Sequence, residues 1–162
     1  MYPRVVINPE WDDVAMASLT ADELIDRAEP VLRPRLVRDR WFGDVAAAIE
    51  TVSGAVFVGV CIDTGATGYC AEQAAGAAMI TAGETRVRQI VAVWRDSREG
   101  PDSPLFVLPP CGVCRRFLID IDPENASAEV ILGASESSTL DALLPLSGWS
   151  ASPARRSSHL SP

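Results

Sequence analysis

The sequence contains no lysine: all 14 basic residues are arginine, set against 22 Asp and Glu, so the formal net charge is −8. A general nucleic-acid binder needs a surface that neutralises phosphates, and an acidic chain is a poor start for one. A small-molecule partner fits better, and no nucleic-acid partner is expected. There is one histidine, His159, in the Ser/Arg-rich stretch that closes the chain. That placement excludes Ser-His-Asp and Cys-His catalysis from the folded domain. Any metal must then be held by Cys, Asp or Glu. No apolar run reaches the roughly 18 residues of a membrane helix, so no membrane partner is expected. The start of the chain lacks an apolar signal core and soon turns acidic at Glu10, Asp12 and Asp13, which makes a cytoplasmic location the expectation.

What is present is about one domain's worth of chain, 162 residues, with an ordinary hydrophobic content of 48%. A single domain is expected over residues 1–150, followed by a Ser/Pro/Arg-rich tail over 151–162. The first stretch, up to about residue 18, reads as irregular and anchored by Trp11. Thr20 with Glu23 forms a capping box, which predicts a helix through Leu24, Ile25, Ala28 and Leu32, interrupted at Pro30 and ended by Pro34. Residues 33–40 read as a basic, solvated connection. Residues 44–50 and 55–62 read as a hairpin about Thr51-Val52-Ser53-Gly54, its second strand apolar on both faces and therefore central. A Gly/Thr loop at 63–68 leads to a helix of small residues over 70–82, stopped by Gly83. Residues 89–94 predict a buried strand, and 95–103 an exposed loop. A helix follows from Pro109-Pro110-Cys111 to Ile121, with Pro in its first turn and Val113, Phe117, Leu118 and Ile121 on one face. A strand at 128–132 and a short helix at 139–144 complete the order. This alternation predicts an α/β fold, a three-layer α/β/α sandwich around a mixed sheet.

The chemistry concentrates in two segments, Cys70-Ala71-Glu72 and Pro110-Cys111-Gly112-Val113-Cys114, each at a predicted helix start. Three thiolates suit Zn²⁺, and an open fourth position makes such a site catalytic rather than structural. Three thiolates on one dication leave a net charge of −1, which two helix N-termini would offset. Arg115 or Arg116 could add hydrogen bonds to sulfur. Glu72, two residues from Cys70, falls beside the metal without having to bind it, where a carboxylate can carry a proton between water and a substrate nitrogen. Alone, Cys-x-x-Cys also serves redox pairs and structural zinc. Its combination with Cys-Ala-Glu and Pro-Cys is what makes the pattern specific.

With those motifs, residues from about Ala21 to Trp149 resemble the cytidine deaminase family, in the three-cysteine zinc form found in cytidine and blasticidin S deaminases. The likeness includes Val45-Ala46-Ala47-Ala48-Ile49, Gly59-Val60 and Leu143-Leu144-Pro145. The resemblance implies one Zn²⁺ per chain on Cys70, Cys111 and Cys114, with Glu72 as the proton shuttle. It implies backbone N–H groups near Ala71 and Cys111 steadying the tetrahedral centre, and a homo-oligomer, tetramer or dimer. The implied reaction is hydrolytic removal of ammonia from an amino-substituted pyrimidine in a nucleoside-like substrate: cytidine, deoxycytidine or a cytosine-containing antibiotic. The alternative is a non-catalytic, zinc-stabilised small-molecule-binding module on the same fold.

This chain departs from the family at several places. Where cytidine deaminases carry Asn-x-Glu to hold the ribose, it has Cys61-Ile62-Asp63; Gln73 stands where an Arg often follows the catalytic Glu, and residues 95–103 form an apparent insertion. Cys61 reads as a small buried hydrophobe or a substrate neighbour. Asp63 reads as a turn residue or a contact to a substrate hydroxyl or amine. Trp41 and Phe42 read as packing residues or as the aromatic that stacks on the base, and Trp149 as a residue that could close the site.

Overall fold

The computed structural model describes residues 18–144 apart from 97 and 101. The expectations for Trp11, Trp149, His159 and the 151–162 tail lie outside the described residues.

The first helix, α1 (Ala21–Ala28), starts at Thr20, whose hydroxyl accepts from the Glu23 N–H while the Glu23 carboxylate accepts from the Thr20 N–H at 2.8 Å. Pro30 then forces a tighter 3-10 turn, Glu29–Val31. The basic stretch after it is no simple connection. It forms a hairpin of β1 (Arg35–Val37) and β2 (Arg40–Phe42), with Val37 opposite Arg40. The two linking residues, Arg38 and Asp39, have φ of 48° and 65°. That left-handed pair suits a two-residue hairpin, but the usual Asn-Gly or Asp-Gly cue is missing from the sequence.

The sheet is organised on β3 (Val45–Thr51) and β7 (Val87–Arg95), which run antiparallel with Ala47 opposite Ala92. β4 (Val56–Val60) pairs with the other side of β3. A separate small hairpin, β5 (Ile62–Asp63) with β6 (Gly68–Tyr69), leads into α2 (Ala71–Thr81). After β7 come β8 (Leu105–Leu108), α3 (Gly112–Ile121), a 3-10 turn (Pro123–Ser127), β9 (Glu129–Gly133), β10 (Glu136–Thr139) and α4 (Leu140–Leu143). The order across the sheet is β10-β9-β7-β3-β4, with β8 paired antiparallel to the C-terminal half of β7 and β9 parallel to its start.

Side chains alternate across this sheet as strand geometry requires. Ala46, Ala48, Val91 and Val93 face α1 with Leu24 and Ala28; Ala47, Ile49, Ile90 and Ala92 face α2, α3 and α4 with Ala75, Met79, Leu118 and Leu140. The result is the three-layer α/β/α sandwich with a mixed sheet that the sequence predicts.

Three expectations are corrected. β4 is an edge strand, not a central one. It is apolar on both faces because both are covered: Phe57 packs with the α2 layer, and Val56 and Val60 with the α1 layer. Apolarity reports what lies above and below a strand, not what lies beside it. Pro109 and Pro110 precede α3 rather than entering its first turn, since Cys111 is the extended N-cap (φ −67°, ψ 164°). Val113 points away from the packed face and is 65% exposed. Other strands also had no sequence expectation: β8, a short apolar run between Pro104 and Pro109; β10, which is mostly polar; and the β5–β6 hairpin, where the sequence reads as a Gly/Thr loop.

One buried side chain ties the β7, α3 and β9 connections together. The Asn125 Oδ1 accepts from the Val87 N–H at 2.8 Å, and its Nδ2 donates to the Thr85 and Leu118 carbonyls, each at 2.9 Å, with no exposure to solvent. Asn125→Ala leaves those backbone groups without a partner in the interior. It should cost about 2–3 kcal/mol, read as a lower urea midpoint with an unchanged denaturant slope.

Candidate metal centre

Both thiol-bearing segments stop being extended at a cysteine. Cys70 is the N-cap of α2 (φ −69°, ψ 154°), and Cys111 is the N-cap of α3. Cys114 lies in the first turn of α3 and is fully buried, whereas Cys111 is exposed. The two helix N-termini converge, so that the Cys70, Cys111 and Cys114 sulfurs all lie within 4.8 Å of one another. Zinc–sulfur bonds of about 2.3 Å in a tetrahedron require sulfurs about 3.8 Å apart. The Cys70–Cys111 distance is 3.8 Å and Cys111–Cys114 is 3.5 Å. The donor set and its spacing therefore fit zinc. Among the described residues no fourth donor joins the cluster.

The electrostatics of the thiol cluster show what such a cation would relieve. Burial pushes the Cys114 thiol far up, reinforced by the nearby Glu72 carboxylate, and burial likewise raises Cys70. Burial alone would also raise Cys111, but the Cys114 N–H and the neighbouring thiols stabilise its thiolate and bring it below the ordinary range. Glu72, in the first turn of α2, is 5% exposed; burial lifts its carboxyl above the usual carboxylate range, even though its own N–H and the Cys114 thiol favour the charged form. A dication reverses this balance, because it rewards the deprotonated thiol that burial penalises.

Several supports were not legible from residue type. Gln73 turns its Oε1 to accept the Cys70 N–H at 3.1 Å, so the residue that replaces the family's Arg holds the start of α2. Arg115 does not reach sulfur. Its Nε donates to the Pro110 carbonyl at 2.7 Å and its Nη1 to the Leu143 carbonyl, which pins the approach to Cys111 against α4. Arg116 pairs with Asp120 one turn along, at 2.7 Å.

Cys61 stands apart from the three thiols. It directly precedes β5, and Cys70 directly follows β6. The pairing of Ile62 with Tyr69 puts the two cysteines at the same end of the hairpin. The Cys61 thiol donates to Asp44 Oδ1 at 3.1 Å instead. Beyond it opens a cleft of about 630 Å³ lined by Arg38, Asp39, Arg40, Trp41, Asp44, Cys61 and Asp63. Three of the sequence candidates, Trp41, Cys61 and Asp63, thus line the same cleft. Phe42, next along β2, is not among the lining residues. Asp63 is already engaged: Arg40 Nη1 lies 3.0 and 2.9 Å from its two oxygens, and the Gly65 N–H donates to Oδ1 at 2.9 Å. Ala71 is fully buried at the first position of α2. Asp44, just before β3, drew no attention in the sequence; its only hint is its place beside the aromatic pair, across Gly43.

No family model matches the chain. It is 31% identical, over 104 residues, to the blasticidin-S deaminase of Bacillus cereus, an overlap of 63% of this chain and 74% of that protein. Among solved structures, it is similar to the cytidine deaminase of Burkholderia pseudomallei, with 27% identity, a TM-score of 0.61 and coverage of 78% of this chain and 98% of that one. It shares its fold with the cytidine deaminase of Mycobacterium tuberculosis, with 24% identity, a TM-score of 0.62 and coverage of 79% and 96%. Sequence likeness to one relative over most of its length thus coincides with a shared fold, and the chain belongs to the cytidine deaminase-like family.

Proposed function

We propose that the protein is a zinc-dependent hydrolytic deaminase, replacing the amino group of a cytosine-type ring by oxygen from water and releasing ammonia. The observation that carries this reading is the juxtaposition of three thiols at zinc spacing with the buried Glu72 carboxylate. Cys70, Cys111 and Cys114 would hold one Zn²⁺ per chain. When bound, the metal supplies a Lewis acid able to make water a nucleophile near neutral pH.

The chain's own residues account for the remainder. Glu72 takes a proton from the attacking water at a carboxylate oxygen and passes it to the ring nitrogen, then serves the departing amine. The Ala71 and Cys111 N–H groups point out of their helix starts, where fixed partial positive charge steadies developing negative charge. The cleft beyond Cys61 orients the rest of a small, nucleoside-like substrate, with Trp41 offering a flat apolar surface and Asp63 and Cys61 the adjoining wall. No helix among the described residues is long and apolar enough to cross a membrane.

The test is zinc quantification together with ammonia release over a panel of aminopyrimidines and aminopurines. One zinc per chain and turnover of at least one cytosine-containing compound are expected. A folded, zinc-loaded protein that releases no ammonia from any of them would instead be a binding module.

A further inference from the structure

We infer that Cys111 is an oxidation site, attacked by a peroxide and resolved by Cys114, and that the Cys111–Cys114 disulfide so formed switches the metal centre off reversibly. This rests on the zinc reading of the same three thiols and gives that centre a second, metal-free state.

The three sulfurs differ in what can reach them. Cys111 is exposed, Cys70 is half-buried and Cys114 is fully buried. A dissolved oxidant therefore meets Cys111 first. A thiol bound to a dication is held as the thiolate, the form that attacks a peroxide. An accessible thiolate with a second thiol beside it is the arrangement that redox-sensing cysteines share. Two neighbours stand close to Cys111: Cys114 at 3.5 Å and Cys70 at 3.8 Å. Backbone placement decides between them. Cys111 caps α3 and Cys114 lies on that helix's first turn, so one rigid element carries both sulfurs. Closing them to a bond of about 2 Å is a change within a single turn. Cys70 caps α2, which is seated against β4 at Gly59, so a bond from Cys70 to Cys111 would have to draw one helix start onto another. Cys61 is outside the cluster, and its thiol donates to Asp44.

Hydrogen peroxide suffices as the oxidant. The Cys111 thiolate attacks one peroxide oxygen; an S–O bond forms, the O–O bond breaks, and the departing hydroxide takes a proton to become water. The Cys114 thiolate then attacks Cys111 Sγ; the S–S bond forms, the S–O bond breaks, and the second hydroxide leaves as water with a second proton. The two sulfurs lose the two electrons that the peroxide gains. Of the three donors Cys70 alone is left, and a single thiolate does not hold zinc where three did. A dithiol reverses the change by thiol–disulfide exchange.

Zinc-loaded protein is treated with hydrogen peroxide while released zinc is followed with a chromophoric chelator. The remaining thiols are then alkylated and located by peptide mass mapping. About one zinc per chain should be released as about two thiols are lost, with Cys111 joined to Cys114 and with Cys61 and Cys70 alkylated. Dithiothreitol followed by zinc should restore thiols and metal together. Cys114→Ser removes the resolving thiol, so dimedone should trap a sulfenic acid at Cys111. A wild-type Cys70–Cys111 bridge, first oxidation at Cys61, thiols that pass straight to sulfinic acid, or zinc retained with every thiol intact overturns the proposal, and mapping of the wild type decides it even where Cys114→Ser does not fold. If the protein takes up no zinc but peroxide still joins Cys111 to Cys114, the oxidation site stands and the zinc reading falls.

Discussion

Glu72→Ala should lose turnover by roughly a hundred- to ten-thousand-fold while still carrying one zinc per chain, the range typical of removing a positioned acid–base group. The split between the two readouts follows from geometry. Three sulfurs already meet the spacing that zinc requires, and Glu72 is not part of that set. Its carboxylate instead meets the Cys114 thiol, from the first turn of the helix that Cys70 caps. Removing it takes away the proton carrier and leaves every sulfur in place. The stability of the metal-free protein should move the other way. A carboxyl whose folded pKa is raised binds its proton more tightly folded than unfolded. Its ionisation therefore costs stability as pH climbs from about 4.3, the unfolded value, through the raised one. Metal-free Glu72→Ala should escape that loss and melt no lower than metal-free wild type at neutral pH. Ammonia release, metal content and melting temperature decide the matter together. A variant with near-normal rates would remove Glu72 from the mechanism, and one that lost its zinc would make Glu72 a ligand.

The parts of this site readable in the sequence were those that depend on residue type at short spacing. Cys70-Ala71-Glu72 and Cys111-Gly112-Val113-Cys114 each sit at a helix start whose boundary follows from local chemistry, and the fold places these starts together. The α/β/α layering was readable from the order of elements, because helices alternating with apolar strands imply a sheet covered on both faces. What was hidden depended on distant partners. β4 reads as central because its faces are apolar, yet a strand's neighbours are set by topology rather than by its own composition. The β1–β2 hairpin turns through Arg38 and Asp39, residues whose left-handed backbone is imposed by the strands on either side and not invited by glycine. Asp63 looked open for substrate until Arg40, far off in sequence, proved to occupy it. Asp44 looked like the unremarkable edge of a strand until the Cys61 thiol and the cleft were placed beside it.

Gly59→Ala should be the most damaging single methyl group in the fold, at about 3–5 kcal/mol, enough to lower the melting temperature by on the order of 10 °C. Gly59 lies on β4 opposite Ala47, under the middle of α2. A Cβ there would stand 2.3 Å from the Ala75 nitrogen, 2.6 Å from Ala74 Cβ and 2.7 Å from the Ala74 carbonyl carbon. Two of those atoms are helix backbone, which no rotamer change can move aside. Gly76 makes the contrast: a Cβ there meets the Phe117 ring at 2.7 Å, a side chain that can turn, so Gly76→Ala should cost less. The consequence of Gly59→Ala reaches the metal centre because α2 is the element displaced. Cys70 caps that helix and Glu72 rides on its first turn, whereas Cys111 and Cys114 belong to α3. Sliding one helix start against the other spoils a sulfur spacing that must hold to within a few tenths of an ångström. Zinc affinity, measured by competition with a chromophoric chelator, should therefore fall with the melting temperature in Gly59→Ala and change far less in Gly76→Ala. Equal, small effects in both variants would mean that α2 is not seated on β4 through Gly59, and that the small residues along that helix serve some purpose other than bringing Cys70 close to the sheet.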